Sequence, residues 1–236
     1  GIPMITGFIG ANEDGVTTTL GRNGSDFTAS IIAAATDSSV VEIWTDVDGV
    51  LSADPRCVKN AYVIPEISYQ EAMELSYFGA EVIHPYTMIP AVDREIPILI
   101  KNTLNPSAPG TIIANDIKPH ERPVTGVASI KDVSSINIVG SGMIGTPGMA
   151  SKVFAALANA GINVIMISQA SSEHSICLVF RDIQSENALA ALNKELEEEI
   201  KSKRIAEFVI KKDLEIISVI GDNMIGTPGI AGKIFS

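Results

Sequence analysis

The chain has 236 residues, 46% of them hydrophobic, and a formal net charge of −11 at pH 7, which is enough apolar material for one to two packed domains. The acidic balance excludes nucleic acid as a partner, because the counterion release that drives such binding requires clustered Lys and Arg. No apolar run has the length of a membrane-spanning helix and no secretory signal opens the chain, so no membrane partner is expected and the expected compartment is the cytoplasm. Cys57 and Cys177 lie far apart without metal-ligand spacing, which fits buried thiols in a reducing compartment. His84, His120 and His174 are too scattered for a metal site.

In chain order, the first informative stretch is TTLGRNGSDFTAS. Gly21 and Gly24 permit close backbone approach, Arg22 offers a bidentate fork, and Ser25 or Asp26 is the expected cap of a helix from Asp26 to about Ala35. A helix N-terminus beside an Arg is an anion site; the same residues also make an ordinary capped turn. Next, VVEIW reads as a strand, and WTDVDGVLSADPR gathers Asp46, Asp48 and Asp54 just after it. Carboxylates at a strand end can position Mg²⁺ against phosphate oxygens, or form a solvated turn in which Asp54-Pro55 starts a bend. A hydrophobic strand followed by D-x-D-G-V-L also resembles the first motif of haloacid-dehalogenase-type phosphatases, with Asp46 as nucleophile and Asp48 as acid/base. That reading needs a later acidic pair, and the nearest candidate, Gly221-Asp222, has Gly226 where the second Asp is wanted. A helix from Tyr69 to Phe78 and the strand PILIKN complete a strand-helix alternation. Such alternation indicates a largely parallel sheet with covered faces, which binds ligands at the carboxyl ends of its strands.

NPSAPGT and KPHERP then read as a terminal turn and a linker. Beyond it the chain repeats: INIVGSGMIGTPGMASKVFA from Ile136 returns as ISVIGDNMIGTPGIAGKIFS from Ile217. Each copy reads as strand, Gly-rich loop and helix, with Thr146 and Thr227 as expected N-caps and Pro147 and Pro228 at the first helical position. The first copy's helix shows Val153, Phe154, Leu157 and Ala158 on one face and stops at Gly161. INVIMIS is a strand, SSEH a turn and SICLVF a second strand. A helix from Ser185 to Ile200 turns Leu189, Leu192, Leu196 and Ile200 inward and Glu195, Glu197, Glu198 and Glu199 outward, and AEFVI is the last strand. The order βαββαβ is ferredoxin-like. The second copy shows only its first strand and part of a helix.

TTLGRNGSDFTAS, WTDVDGVLSADPR, SYQEAMELSYFGAEVIHP and IKNTLNPSAPGT, in this order and followed by two such units, resemble the aspartate kinase family of the amino-acid-kinase superfamily. MISQASSEHSICLVF is similar to its threonine-responsive branch. The resemblance implies an α/β fold: part of an αβα sandwich with a mostly parallel sheet, then ACT modules. The implied divisions are kinase residues 1–118, a linker and strand of the second ACT module at 119–133, the first ACT module at 134–213, and the start of the second at 214–236. The implied activity is transfer of the γ-phosphoryl of ATP, with Mg²⁺, to the side chain of L-aspartate. Arg22 and Ser25 are implied to grip aspartate, Asp26 to organise the cationic groups around the phosphoryl, and Thr45, Asp46 and Arg56 to hold ATP. For the regulatory effector, threonine first and lysine second, the implied site is the loop Ser141, Gly142, Met143, Ile144 and Gly145 with Gln169. A homo-oligomer through the ACT modules is implied as well.

Three positions depart from the family pattern. The N-terminal K-F-G-G-T-S stretch is absent, Glu81 stands where a lysine is frequent, with Lys101 as a possible substitute, and Leu51 replaces a frequent tyrosine. The expectation is therefore a kinase of which these 236 residues alone lack half of the phosphate site and show no turnover. The alternative is an amino-acid-binding regulatory module without turnover. VTGVASI is expected to pair as a strand with the module begun at Leu214.

Overall fold

Apolar periodicity places the elements, and backbone geometry decides their ends. A computed structural model describes the whole chain except residues 80–81, 119, 121 and 170–173. Two compact units result, Gly1–Ser129 with Ile217–Ser236, and Ile130–Ile216.

The first unit opens with an antiparallel pair, β1 (Ile9–Ala11) and β2 (Thr17–Thr19). Then come α1 (Gly24–Ala35), β3 (Val41–Thr45), β4 (Glu66–Ser68), α2 (Tyr69–Tyr77), α3 (Pro85–Val92), β5 (Ile98–Asn102) and β6 (Thr111–Ala114). The sheet order is β3-β5-β6-β4, with β3/β5 and β4/β6 parallel and β5/β6 antiparallel. The mixed α/β fold with a mostly parallel sheet is therefore present. Its core joins Ala33 of α1, Val41 and Ile43 of β3, Leu75 of α2, Met88 and Ala91 of α3, and Ile98 and Ile100 of β5. Covered faces on both sides are not found on β3: Glu42 and Trp44 are exposed, because these residues alternate with the buried pair and α1 and α3 pack on the other face.

β7 (Gly126–Val139) starts in this unit and continues into the second. The second unit follows as α4 (Met149–Asn159), β8 (Met166–Gln169), β9 (Ser175–Arg181), α5 (Ser185–Glu195), α6 (Glu197–Lys201) and β10 (Glu207–Ile220), which returns to the first unit and leads to α7 (Ile230–Phe235). The sheet order β10-β7-β9-β8 is that of a ferredoxin-like βαββαβ module, and its core is Ile136, Ile138, Val153, Leu157, Leu178, Phe180, Ala188, Leu192 and Leu196. β7 and β10 run antiparallel: Ala206 N–H donates to Val139 O at 2.8 Å and Thr125 N–H to Ile220 O at 2.8 Å. The strand VTGVASI thus lies beside the strand that opens the second copy. What the sequence suggests as four separate strands is two long ones, each bent at an Asp in the left-handed region, Asp132 (φ 56°) and Asp213 (φ 55°).

The copies agree bond for bond. Met143 N–H donates to Gly140 O and Met224 N–H to Gly221 O; Thr146 N–H donates to Met143 O and Thr227 N–H to Met224 O. Both helices begin after a left-handed glycine, Gly148 and Gly229, each at φ 86°. This overturns the expected Thr N-caps. Thr146 Oγ1 donates backward to Gly142 O and Thr227 Oγ1 to Asn223 O, so each hydroxyl closes the turn before the helix. Four further expectations change. Asn23, left-handed at φ 56°, caps α1 in place of Ser25 or Asp26. Ala156, not Ala158, faces the core of α4. Cys57 is exposed rather than buried. Glu199 is buried instead of outward, since the helix from Ser185 breaks after Glu195 and restarts at Glu197. Lys152 Nζ meets Glu199 at 2.7 Å and holds its carboxyl below the usual range against the opposing effect of burial. The expected SSEH turn falls mostly outside the described residues, as does Glu81.

Candidate functional site: two loops at a strand end and a cavity beside a helix start

β3 and β5 are parallel and in register from Val41 with Ile98 to Thr45 with Asn102, so the segments that follow them leave from one edge. Thr103 N–H donates to Thr45 O at 2.8 Å. Across this edge Asp48 Oδ1 accepts from Asn102 Nδ2 at 2.7 Å and Asn105 Nδ2 at 3.1 Å. Asp48 is therefore a tie between the end of β5 and the loop that follows it. Asp54 accepts from the Arg56 amide at 2.8 Å and pairs with the Arg56 guanidinium at 2.9 Å, closing its own turn. Asp46 is exposed and accepts from Thr45 Oγ1 at 3.2 Å. Lys101 donates to Ala108 O and lies 5.7 Å from the ring centre of Trp44.

These positions suit a cation carried by a nucleotide. Mg²⁺ in phosphoryl transfer takes one or two protein carboxylates and completes its shell with phosphate oxygens and water. Asp46 offers such a carboxylate. Among the described residues no group of three or more His, Cys, Asp or Glu forms a protein cage for a metal.

The second loop, GRNGSD, stands at the start of α1. A short connection carries α1 into β3 and the two pack together, so they run antiparallel and the start of α1 lies toward the carboxyl end of β3. Gly21 (φ 78°) and Asn23 make the turn, and Gly24 is pressed between Leu20 and Phe8, where a Cβ would come within 2.9 Å of Leu20 Cβ. Arg22 and Ser25 are exposed and Asp26 is half-buried. Burial pushes the Asp26 carboxyl up, against hydrogen bonds from Asn23 and Ser25 that pull it down. The turn brings together a guanidinium, a hydroxyl and first-turn amides that lack intrahelical acceptors, a donor set with the chemistry to bind a carboxylate.

In the second unit a cavity of about 220 Å³ is lined by Met143, Thr146, Pro147, Gly148, Met149, Ala150, Gln169 and Ile176. Of the residues anticipated for the effector, Met143 and Gln169 line it. Ser141, Gly142, Ile144 and Gly145 do not. The amides of Gly142 and Met143 donate instead to Arg204 O and Gly140 O. Gly148, Met149 and Ala150, at the start of α4, line the cavity as well, and first-turn amides have no intrahelical acceptor.

The sequence matches the amino acid kinase family over residues 1–102 and the ACT domain over residues 136–196. It is 47% identical to a bifunctional aspartokinase/homoserine dehydrogenase of Haemophilus influenzae, covering all of this chain and 29% of that relative. The fold is similar to Clostridium acetobutylicum aspartate kinase, with a TM-score of 0.85 and 36% identity, over 97% of this chain and 52% of that one. It is also similar to Escherichia coli aspartokinase III in complex with aspartate and ADP (TM-score 0.76, 33% identity, 97% of this chain and 50% of that one) and with lysine and aspartate (0.74, 32%, 98% and 51%). The chain thus spans about a third to a half of the length of these relatives. Residues 1–102 thus match the amino acid kinase family and residues 136–196 the ACT domain, and the chain is similar to aspartokinases in both sequence and fold.

Proposed function

We propose that the protein is an aspartate kinase that moves the γ-phosphoryl of MgATP to the side-chain carboxylate of L-aspartate. The observation that carries this is the placement of GRNGSD and TDVDG toward the carboxyl end of β3, and the aspartate and ADP held by the E. coli relative agree with it. The Arg22 fork and the Ser25 hydroxyl hold the substrate's α-carboxylate at the start of α1. Asp26, half-buried beside them, orients cationic groups toward the phosphoryl. Thr45, Asp46 and Arg56 bind the nucleotide, with Arg56 leaving Asp54 to do so. The magnesium supplies charge neutralisation on the phosphates. Chemistry of this kind consists mainly of positioning, which two loops fixed at a sheet edge provide.

The division into kinase residues 1–118, linker and strand 119–133, and ACT modules at 134–213 and from 214 accompanies this reading, as does association through the ACT modules. The regulator is an amino acid, threonine first and lysine second, with its carboxylate on the α4 amides and a polar group on Gln169. The test is a kinase assay on the complete polypeptide. Arg22→Ala is expected to raise the KM for aspartate about tenfold or more with the KM for ATP unchanged, since a charge-assisted bidentate contact is lost. A protein that phosphorylates another amino acid while aspartate stays inert overturns the assignment.

A further inference from the structure

Glu71 lies on the first turn of α2 with its side chain 1% exposed, yet it belongs to neither strand-end loop. Its carboxylate collects donors from three separate segments. Ser68 N–H donates at 3.3 Å and completes a capping box. Thr125 Oγ1 donates at 2.7 Å, the Asp222 amide at 2.9 Å, and His120 Nε2 lies at 3.3 Å. A capping box uses one of these. The others join α2 to the linker and to the turn of the second copy. Burial alone would raise this carboxyl, and the hydrogen bonds from Thr125, Asp222 and Ser68 with His120 outweigh it and hold it below the usual range.

The contact continues along α2. Gly126 packs on Leu75, and a Cβ on Gly79 (φ 122°) would overlap Ser129 O, so residues 71, 75 and 79 follow the strand from Thr125 to Ser129. That strand is bonded in turn to the loop carrying Asp46 and Arg56: Val127 N–H donates to Ser52 O at 2.8 Å. One chain of packed groups therefore runs from the Asp222 amide through Glu71 and Thr125 to the loop after β3. In the first copy the corresponding turn is held differently, with Gly142 N–H donating to Arg204 O at 3.2 Å.

We propose that Glu71 is a positioning residue that clamps the second copy's turn to α2, and that the clamp is the contact through which the repeats control the kinase loops. This rests on the kinase reading above. The test uses the complete polypeptide as wild type, Glu71→Gln and Thr125→Val. Kinase turnover, the half-inhibitory concentrations of threonine and lysine, and amide hydrogen exchange are measured on each. A glutamine keeps one oxygen and turns an N–H₂ toward the donors. Glu71→Gln is expected to raise the half-inhibitory concentration about tenfold, within the usual range of coupling between sites, while turnover without effector stays within about twofold. Exchange should quicken at residues 222–229 and leave 176–192 unchanged. Thr125→Val is expected to shift inhibition the same way by less, and carries the test if the Gln variant does not fold. Wild-type inhibition that is matched in both variants overturns the proposal, as does a wild-type kinase that responds to neither amino acid. A wild type inactive on aspartate overturns the kinase reading, and unchanged exchange at 222–229 then overturns the clamp separately.

Discussion

The turns Gly140–Met143 and Gly221–Met224 share their first and last residues, backbone and internal hydrogen bonds, but their surroundings are unrelated. Around the first, Gly142 is a glycine because any Cβ would overlap Arg204. Around the second, the same position is Asn223, whose side chain donates to His120 O at 3.2 Å. The first turn closes the core of its own module and borders the cavity through Met143. The second, through Asp222, is held by the Glu71 carboxylate of a kinase helix. Duplication thus fixed the local conformation, and the residues that were free to differ gave each copy its own anchor.

The strongest way to break this comparison is at the glycine before each turn. An added Cβ on Gly140 would overlap Arg204 O, and one on Gly221 would overlap Pro123 O. Backbone overlap of this kind costs about 1–3 kcal/mol. Gly140→Ala is expected to lower the stability of residues 130–216, and Gly221→Ala that of the first unit, read by denaturant unfolding with exchange localised by residue. Identical exchange patterns in the two variants would show that the copies are not separately anchored.

A second, smaller effect is acid sensitivity confined to one anchor. Glu71 has a folded pKa below its value of 4.5 in the unfolded chain. Its hydrogen bonds therefore stabilise fully above pH 4.5, and this contribution is lost as pH falls through the folded pKa. Exchange at the Asp222 amide should quicken across that window in the wild type and be nearly pH-independent there, after correction for intrinsic rates, in Glu71→Gln. His120 faces the same carboxylate, so the comparison is repeated with His120→Gln in both backgrounds.

The smallest effect is at the side chain of Asp222. The bond to Glu71 uses its amide, so Asp222→Ser, which copies the first turn's Ser141, is expected to change stability by no more than about 0.5 kcal/mol. A larger loss by denaturant unfolding would assign the anchor to the side chain instead.

Strand and helix positions were legible where apolar residues recur with a clear period: VVEIW, PILIKN and the inward face of Leu192 and Leu196 lie where their patterns place them. Element ends were less so. Thr-Pro-Gly looks like a cap followed by a first helical proline, but the glycine at φ 86° delays the helix and leaves the threonine to bond backward. The sheet-edge loops were found from their glycines and carboxylates, yet spacing alone could not tell that Asp48 is tied to Asn102 and Asn105 or Asp54 to Arg56, because those partners lie in other loops or share one turn. Glu71 was missed in the same way. Ser68-x-x-Glu71 is a capping-box spacing, but the donors from His120, Thr125 and Asp222 come from distant segments that only the fold brings together.

Trp44 is the single tryptophan of the chain, and it lies next to Thr45 at the end of β3. Nearly half of its surface is open to solvent, its indole N–H donates to Glu42 at 3.0 Å, and Lys101 on the neighbouring strand approaches its ring. Indole emission depends on solvent contact and on nearby charge, so the protein's tryptophan fluorescence comes from one place, the edge where the loop carrying Asp46 begins. The sheet-edge loops therefore carry their own optical label, and occupancy there can be followed by light without attaching a dye or replacing a residue.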